Sequence, residues 1–286
     1  MKTGHENPRS LSANAGIFAR SHLVAFGLLG CLASQTAQAE TGAENWSLWG
    51  DSTEITVGAG AAVLPRYAGS SEYKVIPVPV VALQRGAFFA DIIRGVGAEY
   101  YNQNGFYVSA AVGYDMGRTT RDSTWEPGST KLIGMNLVKE TVTANLVVSQ
   151  ALTPWLSATA EAEFAMSGQR HRGNQYRVGL LSYLRDDDRD TVSVALNAHG
   201  GDRDYLKTYF GVTDAESRTS RFAQFDAGSG GVYAGSLTGT WSHSFNKHYS
   251  VDMAVSVMQL VGDPGRSPLV SEKTSVTTAA SLNYTF

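Results

Sequence analysis

His199 is followed closely by Asp202 and Asp204, and no other set of residues in this 286-residue chain comes nearer to acid–base chemistry. An imidazole can move a proton and a carboxylate can steady it, but a hydrolase also needs a nucleophile or water held within hydrogen-bond reach. Polar residues where a strand runs into a loop are ordinarily solvated, so the expectation is that this trio is not catalytic. Asp186-Asp187-Asp188, followed by Arg189-Asp190, gathers enough carboxylates to attract a cation. Its spacing is not that of a calcium loop, and it reads instead as a hairpin turn. No cofactor or metal motif stands out, and the chain is expected not to be an enzyme.

The elements around these residues have a period of two. EITVGAGAAV, from Glu54, puts Ile55, Val57, Ala59, Ala61 and Val63 on one face and Thr56, Gly58, Gly60 and Ala62 on the other. Such alternation marks a strand with one apolar and one polar face. Similar segments come after it: YKVIPVPVVAL, AFFADI, GVGAEYY, FYVSAAVGYD, VKETVTANLVVS, WLSATAEAEFA, QYRVGLLSYL, TVSVALNAH, GVYAGSLTGTW, HYSVDMAVSVMQL and the terminal SVTTAASLNYTF. That makes twelve strands; ten is the alternative count if the short third and fourth segments are not strands. Asn104-Gly105 is a strong hairpin signal.

Short connections (QRG, NQNG, ALTPW, RDDDR, FNK) alternate with long polar ones around 65–72, 116–136, 166–174, 201–230 and 261–272. A tight connection near Arg94 is the exception. An even strand number, short turns on one side and long loops on the other describe an all-β transmembrane antiparallel barrel of the outer-membrane type. Mean hydropathy is −0.16, which cannot separate this from a soluble sandwich, because only alternate residues of a barrel face lipid. The light Ala/Val/Thr faces favour closure in lipid, where every backbone group must pair within the wall. Tyr100, Tyr101, Trp155, Trp241, Tyr249, Tyr284 and Phe286 fall near the short-turn ends, and Tyr67, Tyr73, Tyr114, Phe164 and Tyr176 near the long-loop ends. Two interfacial aromatic girdles are expected.

Residues 1–39 read as an export signal: Arg9 and Arg20, the apolar run LVAFGLLGCLA, and Ala37-Gln38-Ala39 as the cleavage site before Glu40. Leu28-Leu29-Gly30-Cys31 is a weaker rival, a loose lipobox with an atypical Leu at its second position. Residues 40–53 form a periplasmic segment and 54–286 the barrel. Cys31 is the only cysteine, so disulfides play no part. The net charge of −3 becomes more negative once Lys2, Arg9, Arg20 and Glu6 leave with the signal, giving no reason to expect nucleic acid as a partner. Outer-membrane lipid is the expected surroundings.

Inside the barrel, Lys139 shares the phase of Thr141, Thr143 and Asn145, while Glu161, Glu163 and Arg177 face inward on neighbouring strands. Folding the hairpins about their turns sets Glu163 across from Arg177, with Lys139 diagonally adjacent. This cluster is expected to neutralise itself, by roughly 0.2–1 kcal/mol per cross-strand pair, rather than form a ring of one sign that would select ions.

Several motifs occur in a telling order: Tyr67-Ala68-Gly69-Ser70-Ser71 before VIPVPVV, Arg94-Gly95-Val96-Gly97, Tyr209-Phe210-Gly211-Val212, Ala227-Gly228-Ser229-Gly230, Ser267-Pro268-Leu269-Val270 and the closing Asn283-Tyr284-Thr285-Phe286. Together, across the whole mature chain, they resemble the MipA/OmpV family of outer-membrane proteins. The resemblance implies a scaffold joining a murein lytic transglycosylase to a bifunctional penicillin-binding protein. It also implies that Leu282, Tyr284 and Phe286 form the terminal signature read by the barrel-assembly machinery. A small-solute or antibiotic-permeable channel and an adhesin acting through its external loops are the alternatives. The apolar residues of the YFGV and SPLV loops either fold over the mouth as a cap, the favoured reading, or offer a binding surface. Trp46 and Trp49 are the candidate contacts for a periplasmic partner, the equal alternative being a loose terminus anchored at the membrane interface.

Overall fold

The computed structural model describes residues 48–166 and 172–286; the cleavage-site residues Ala37, Ala39 and Glu40, and Trp46, lie outside them. The first half of the wall is β1 (Glu54–Pro65), β2 (Tyr73–Arg85), β3 (Phe88–Asp91), β4 (Gly95–Tyr101), β5 (Phe106–Asp115) and β6 (Thr141–Thr153). The second half is β7 (Leu156–Ala165), β8 (Gln175–Asp186), β9 (Asp190–Asp202), β10 (Gly230–Ser244), β11 (Tyr249–Leu260) and β12 (Thr274–Thr285). Every strand pairs with its neighbours in sequence, and β12 closes on β1 antiparallel, with Gly58 opposite Asn283. All twelve expected strands are present, the short β3 and β4 included.

Alternation puts Ile55, Val57, Leu196, Leu237, Val255 and Leu282 on the outside, exposed, and Thr56, Ser193, Thr238, Ser256, Ser281 and Asn283 on the inside, buried. Inside, hydroxyls bond one another across the strands: Ser193 to Thr240 at 2.6 Å and Thr238 to Ser256 at 2.8 Å. Large apolar side chains outside and small polar ones inside invert the pattern of a water-soluble core, and only lipid can wet such an outer face.

Three of the departures from a regular wall bear on the site. The stretch 203–219, expected to be irregular, holds two helices, α1 (Arg203–Phe210) and α2 (Asp214–Thr219). Their signals are local: Asp202 caps α1, and Thr213 with Glu216 forms a reciprocal capping box on α2. A register shift between Val232 and Ala234 marks a bulge in β10 that brings Tyr233 inward beside Ala234, both buried. The third departure is the β3–β4 hairpin, which stops part-way up the wall. Asp91 Oδ1 accepts the backbone N–H groups of Ile93 (2.8 Å) and Arg94, and Asp91 Oδ2 takes Arg94 Nε at 2.5 Å. Those bonds close the turn at 92–94.

Candidate functional site: a capped mouth and a pinned rim

The long-loop mouth is filled by the chain's own loops. Tyr205, Leu206 and Phe210 of α1 pack with Ala227, Tyr233, Ala234 and Leu260, and Tyr205 and Phe210 each lie 5.6 Å, ring to ring, from Tyr233. A second layer joins Tyr67, Leu132, Met135, Val212, Phe222 and Leu269 from separate loops. The motif residues hold the layers together. Tyr67 donates its hydroxyl to Leu269 O at 3.2 Å, and Ser267 Oγ donates to Phe210 O at 2.6 Å. Gly211 N closes α1 on Lys207 O, while Val212 bridges Phe225. Gly69 has φ +89°, and a Cβ there would meet Val270 Cγ2 at 2.7 Å, so a larger residue would prise the first and last loops apart. Ser70 N bonds Tyr67 O to tighten that turn, and Pro268 is half-buried between Ser267 and Leu269. Tyr67 therefore belongs to the cap and not to an interfacial girdle. The apolar side chains of YFGV and SPLV are taken up within these layers.

Beneath the cap lies a belt of paired charge. Arg172, fully buried, contacts Asp115 Oδ2 at 3.0 Å and Glu163 Oε1 at 2.5 Å. Tyr209 donates to Asp115 Oδ2 at 3.2 Å, Gln175 Nε2 to Glu163 Oε1 at 3.0 Å, and Tyr205 to Gln175 Oε1 at 3.2 Å. Tyr205 and Tyr209, one helical turn apart, thus fasten α1 to β8 and β5. Arg118, also buried, donates to the carbonyls of Tyr209 (2.6 Å) and Thr208 (3.2 Å), where the helix dipole is negative. Burial pushes the Arg118 guanidinium below its ordinary value. Burial and the adjacent Asp115 push the Tyr209 hydroxyl well above its own, so it stays a donor. Burial works against Glu216, but hydrogen bonds from Thr213 N–H, Asn136 N–H and the Thr213 hydroxyl, with Arg118 nearby, hold it below the ordinary carboxylate range.

The expected charge partners change. Arg177 sits across from Glu161, which it contacts directly, while Glu163 sits across from Gln175 and takes Arg172. The register differs by one cross-strand step from that obtained by folding about the turns. Lys139 is exposed and precedes β6, which begins at Thr141 rather than Val138. It is therefore not part of the luminal cluster. Sequence reading missed Arg172, Arg118 and Asp115: the two arginines lie in loops with no periodicity to reveal them, while Asp115 closes the alternating β5 on its inner phase and was passed over.

His199 Nε2 lies 2.8 Å from Ser236 Oγ, a serine–histidine contact inside the wall. The residue across from His199 is Arg177, a cation, and a guanidinium cannot steady an imidazolium as a carboxylate would. Asp202 is spent on capping Tyr205 N (2.8 Å) and holding Asn174, and Asp204 is exposed in the first turn of α1. Asp187 accepts the N–H groups of Asp190 (2.8 Å) and Arg189 (3.0 Å) and pairs with Arg185. Those bonds, Asp190 N–H foremost, hold its carboxyl down at about 2. It is a turn cap. Among the described residues no cluster of three or more His, Cys, Asp or Glu could hold a metal ion.

The short-turn rim carries a pinned segment at residues 48–53. Ala87 N bonds Leu48 O at 3.1 Å, and Arg85 donates to Trp49 O (3.1 Å) and Thr53 Oγ1 (3.2 Å), tying residues 48–53 to the β2–β3 turn. Trp49 rests on Phe88 at 5.2 Å yet stays 67% exposed. At the closing seam, Tyr284 packs edge-on against Tyr249 (5.0 Å) and Phe286 (4.8 Å), with Leu282 exposed on the same outer face.

The sequence model of the family described as MltA-interacting protein MipA matches residues 57–286. Among solved structures, an outer-membrane channel from Pseudomonas putida F1 is similar over 87% of this chain and 100% of its own, at 11% identity and a TM-score of 0.47. The toluene transporter TbuX of Ralstonia pickettii is similar over 90% of this chain and 97% of its own, at 12% identity and a TM-score of 0.41. No curated protein sequence matches the chain.

Proposed function

Because the chain belongs to the MltA-interacting protein MipA family and is a β-barrel of the bacterial outer membrane, we propose that it is a non-enzymatic scaffold for cell-wall enzymes. Its periplasmic rim docks a murein lytic transglycosylase and brings it to a peptidoglycan synthase, a bifunctional penicillin-binding protein. The observation that carries this reading is the strap at residues 48–53. It is pinned by backbone and arginine hydrogen bonds, and it holds Trp49 out in a fixed place. A large aromatic already immobilised before binding loses little entropy on contact, which is what makes tryptophan a frequent centre of binding energy. At the outer mouth the apolar residues of the YFGV and SPLV motifs are consumed within the cap, while Trp125, Ile133 and Leu137 of the loop 116–140 stay exposed.

The test is affinity capture from envelope extracts with the mature barrel as bait and the eluate assayed for murein hydrolysis and for penicillin-binding proteins. The scaffold should retain both, and Trp49→Ala should lower retention by about tenfold or more while leaving the heat-modifiable gel shift unchanged. Recovery of neither enzyme class by the intact barrel would overturn the assignment.

A further inference from the structure

The strand ladder of the closed wall is interrupted in its lipid-facing belt. The β3–β4 hairpin ends at its turn, 92–94, level with the pair Ala82–Asp91 on one side and with Val96–Val112 on the other. Above it, residues 73–80 of β2 pair with β1 alone, and residues 113–115 of β5 pair with β6 alone. Two strands are missing, so the gap at its floor spans three strand spacings, about 14 Å. Residues 116–140 cross above it. Lys74 Nζ donates to Glu126 O (2.8 Å) and Ser123 O (3.4 Å), and Gly128 N donates to Arg66 O (2.7 Å). The result is a window framed on all sides.

The sequence is shaped to this window. Val81 O accepts Ile92 N, so the odd-numbered residues of β2 point their backbone groups toward β3 and, higher up, into the gap. Two of those positions are Pro77 and Pro79. Proline has no N–H to leave unpaired, and within a sheet it is confined to edges. At Pro77 and Pro79 the edge bears carbonyls without N–H groups, which blunts it against pairing with a second copy or a partner's strand. Around the gap, Val75, Val81, Ile92, Val96, Val112 and Tyr114 point outward and are exposed. Behind its β2 side the interior is apolar, with Ile76, Val78 and Val80 packed on Ala62, Leu64 and Ala279, while Lys74 above, Asp91 at the floor and Thr143 on the β6 side are polar and buried. Elsewhere the inner face is built largely of serine, threonine, asparagine and paired charge.

We propose that the window is a lateral port that an acyl chain of a surrounding membrane lipid enters, its end directed at the apolar corner of Ile76, Val78 and Val80. An acyl chain asks for no hydrogen bond, tolerates bare carbonyls better than a second polar edge would, and is continuous with the lipid already wetting Val75 and Val96. This goes beyond scaffolding, because it gives the barrel wall a ligand of its own.

Single cysteines in a Cys31→Ser background test it. Val78→Cys sits behind the window, and Ala254→Cys is equally buried on the inner face of β11, away from it. Each is reconstituted in phospholipid vesicles and exposed to an N-alkyl maleimide dissolved in the bilayer, or to a charged maleimide in water. The port predicts alkylation from the bilayer about tenfold faster at Val78→Cys than at Ala254→Cys, since a thiol reacts only where the reagent reaches it. It also predicts that Val78→Cys reacts more slowly with the charged reagent than with the alkyl one. Equal rates at the two positions, or faster reaction from water, would show the wall to be closed to lipid. Should Val78→Cys lose the heat-modifiable shift, Ile76→Cys gives the same reading from the same face.

Discussion

Two arginines at opposite ends of the barrel make similar ion pairs in opposite surroundings. Arg172, under the cap, is 0% exposed by side chain between Asp115 and Glu163; Arg185, at the β8–β9 turn, is 58% exposed between Asp187 and Asp190. At the turn, water would solvate either partner alone, so the pair contributes little. Beneath the cap no water replaces a lost partner. The network there is what joins α1 to the wall, through Tyr209 and Asp115 on one side and Tyr205 and Gln175 on the other. The number of salt bridges therefore says little about either end; what counts is what a partner would face once left alone.

Removing the inner arginine should produce the largest effect. Arg172→Ala leaves the half-buried Asp115 and Glu163 without a cation, and about 3 kcal/mol of stability should be lost. The expected readouts are a lowered midpoint for the heat-modifiable shift and protease cleavage in residues 203–229. An unaltered midpoint would mean that the belt does not hold the cap.

A middle-sized effect should come from acid. Glu216 titrates below the ordinary carboxylate range in the folded cap, so its contribution is complete above the unfolded value of about 4.3. It is lost as the pH falls through the lower folded value. Protease sensitivity of the cap should rise below about pH 4. Glu216→Gln, which cannot ionise, should be less stable at pH 7 and lose that pH step. Should both proteins open over the same pH range, another group controls the cap.

The smallest effect belongs to the outer arginine. Arg185→Ala should leave the same midpoint almost unchanged, and more nearly so in high salt. A loss as large as that of Arg172→Ala would erase the contrast between the two ends.

Much of the wall was legible because a strand's two faces are written locally. Glu54 onward alternates by period two whatever its neighbours do, so the twelve strands, their lipid faces and the short-turn side could all be read from order alone. Even α2 left a trace, in Thr213 and Glu216 at capping-box spacing. Charge partnership was less legible: Glu163 and Arg177 were placed on the right face but not with the right partners. One cross-strand step decides a pairing without disturbing alternation, and Arg172 comes from a loop.

The order of residues by itself thus determined a closed antiparallel wall with lipid outside, because side-chain direction along a strand depends only on parity. Tertiary structure alone decided that the motif loops converge into one cap and that Arg172 sits at its base. It alone decided that Pro77 and Pro79 border a gap rather than a paired strand. Those outcomes depend on residues far apart in the chain meeting at one place. That meeting is fixed by closure of the barrel and by the length at which each hairpin stops.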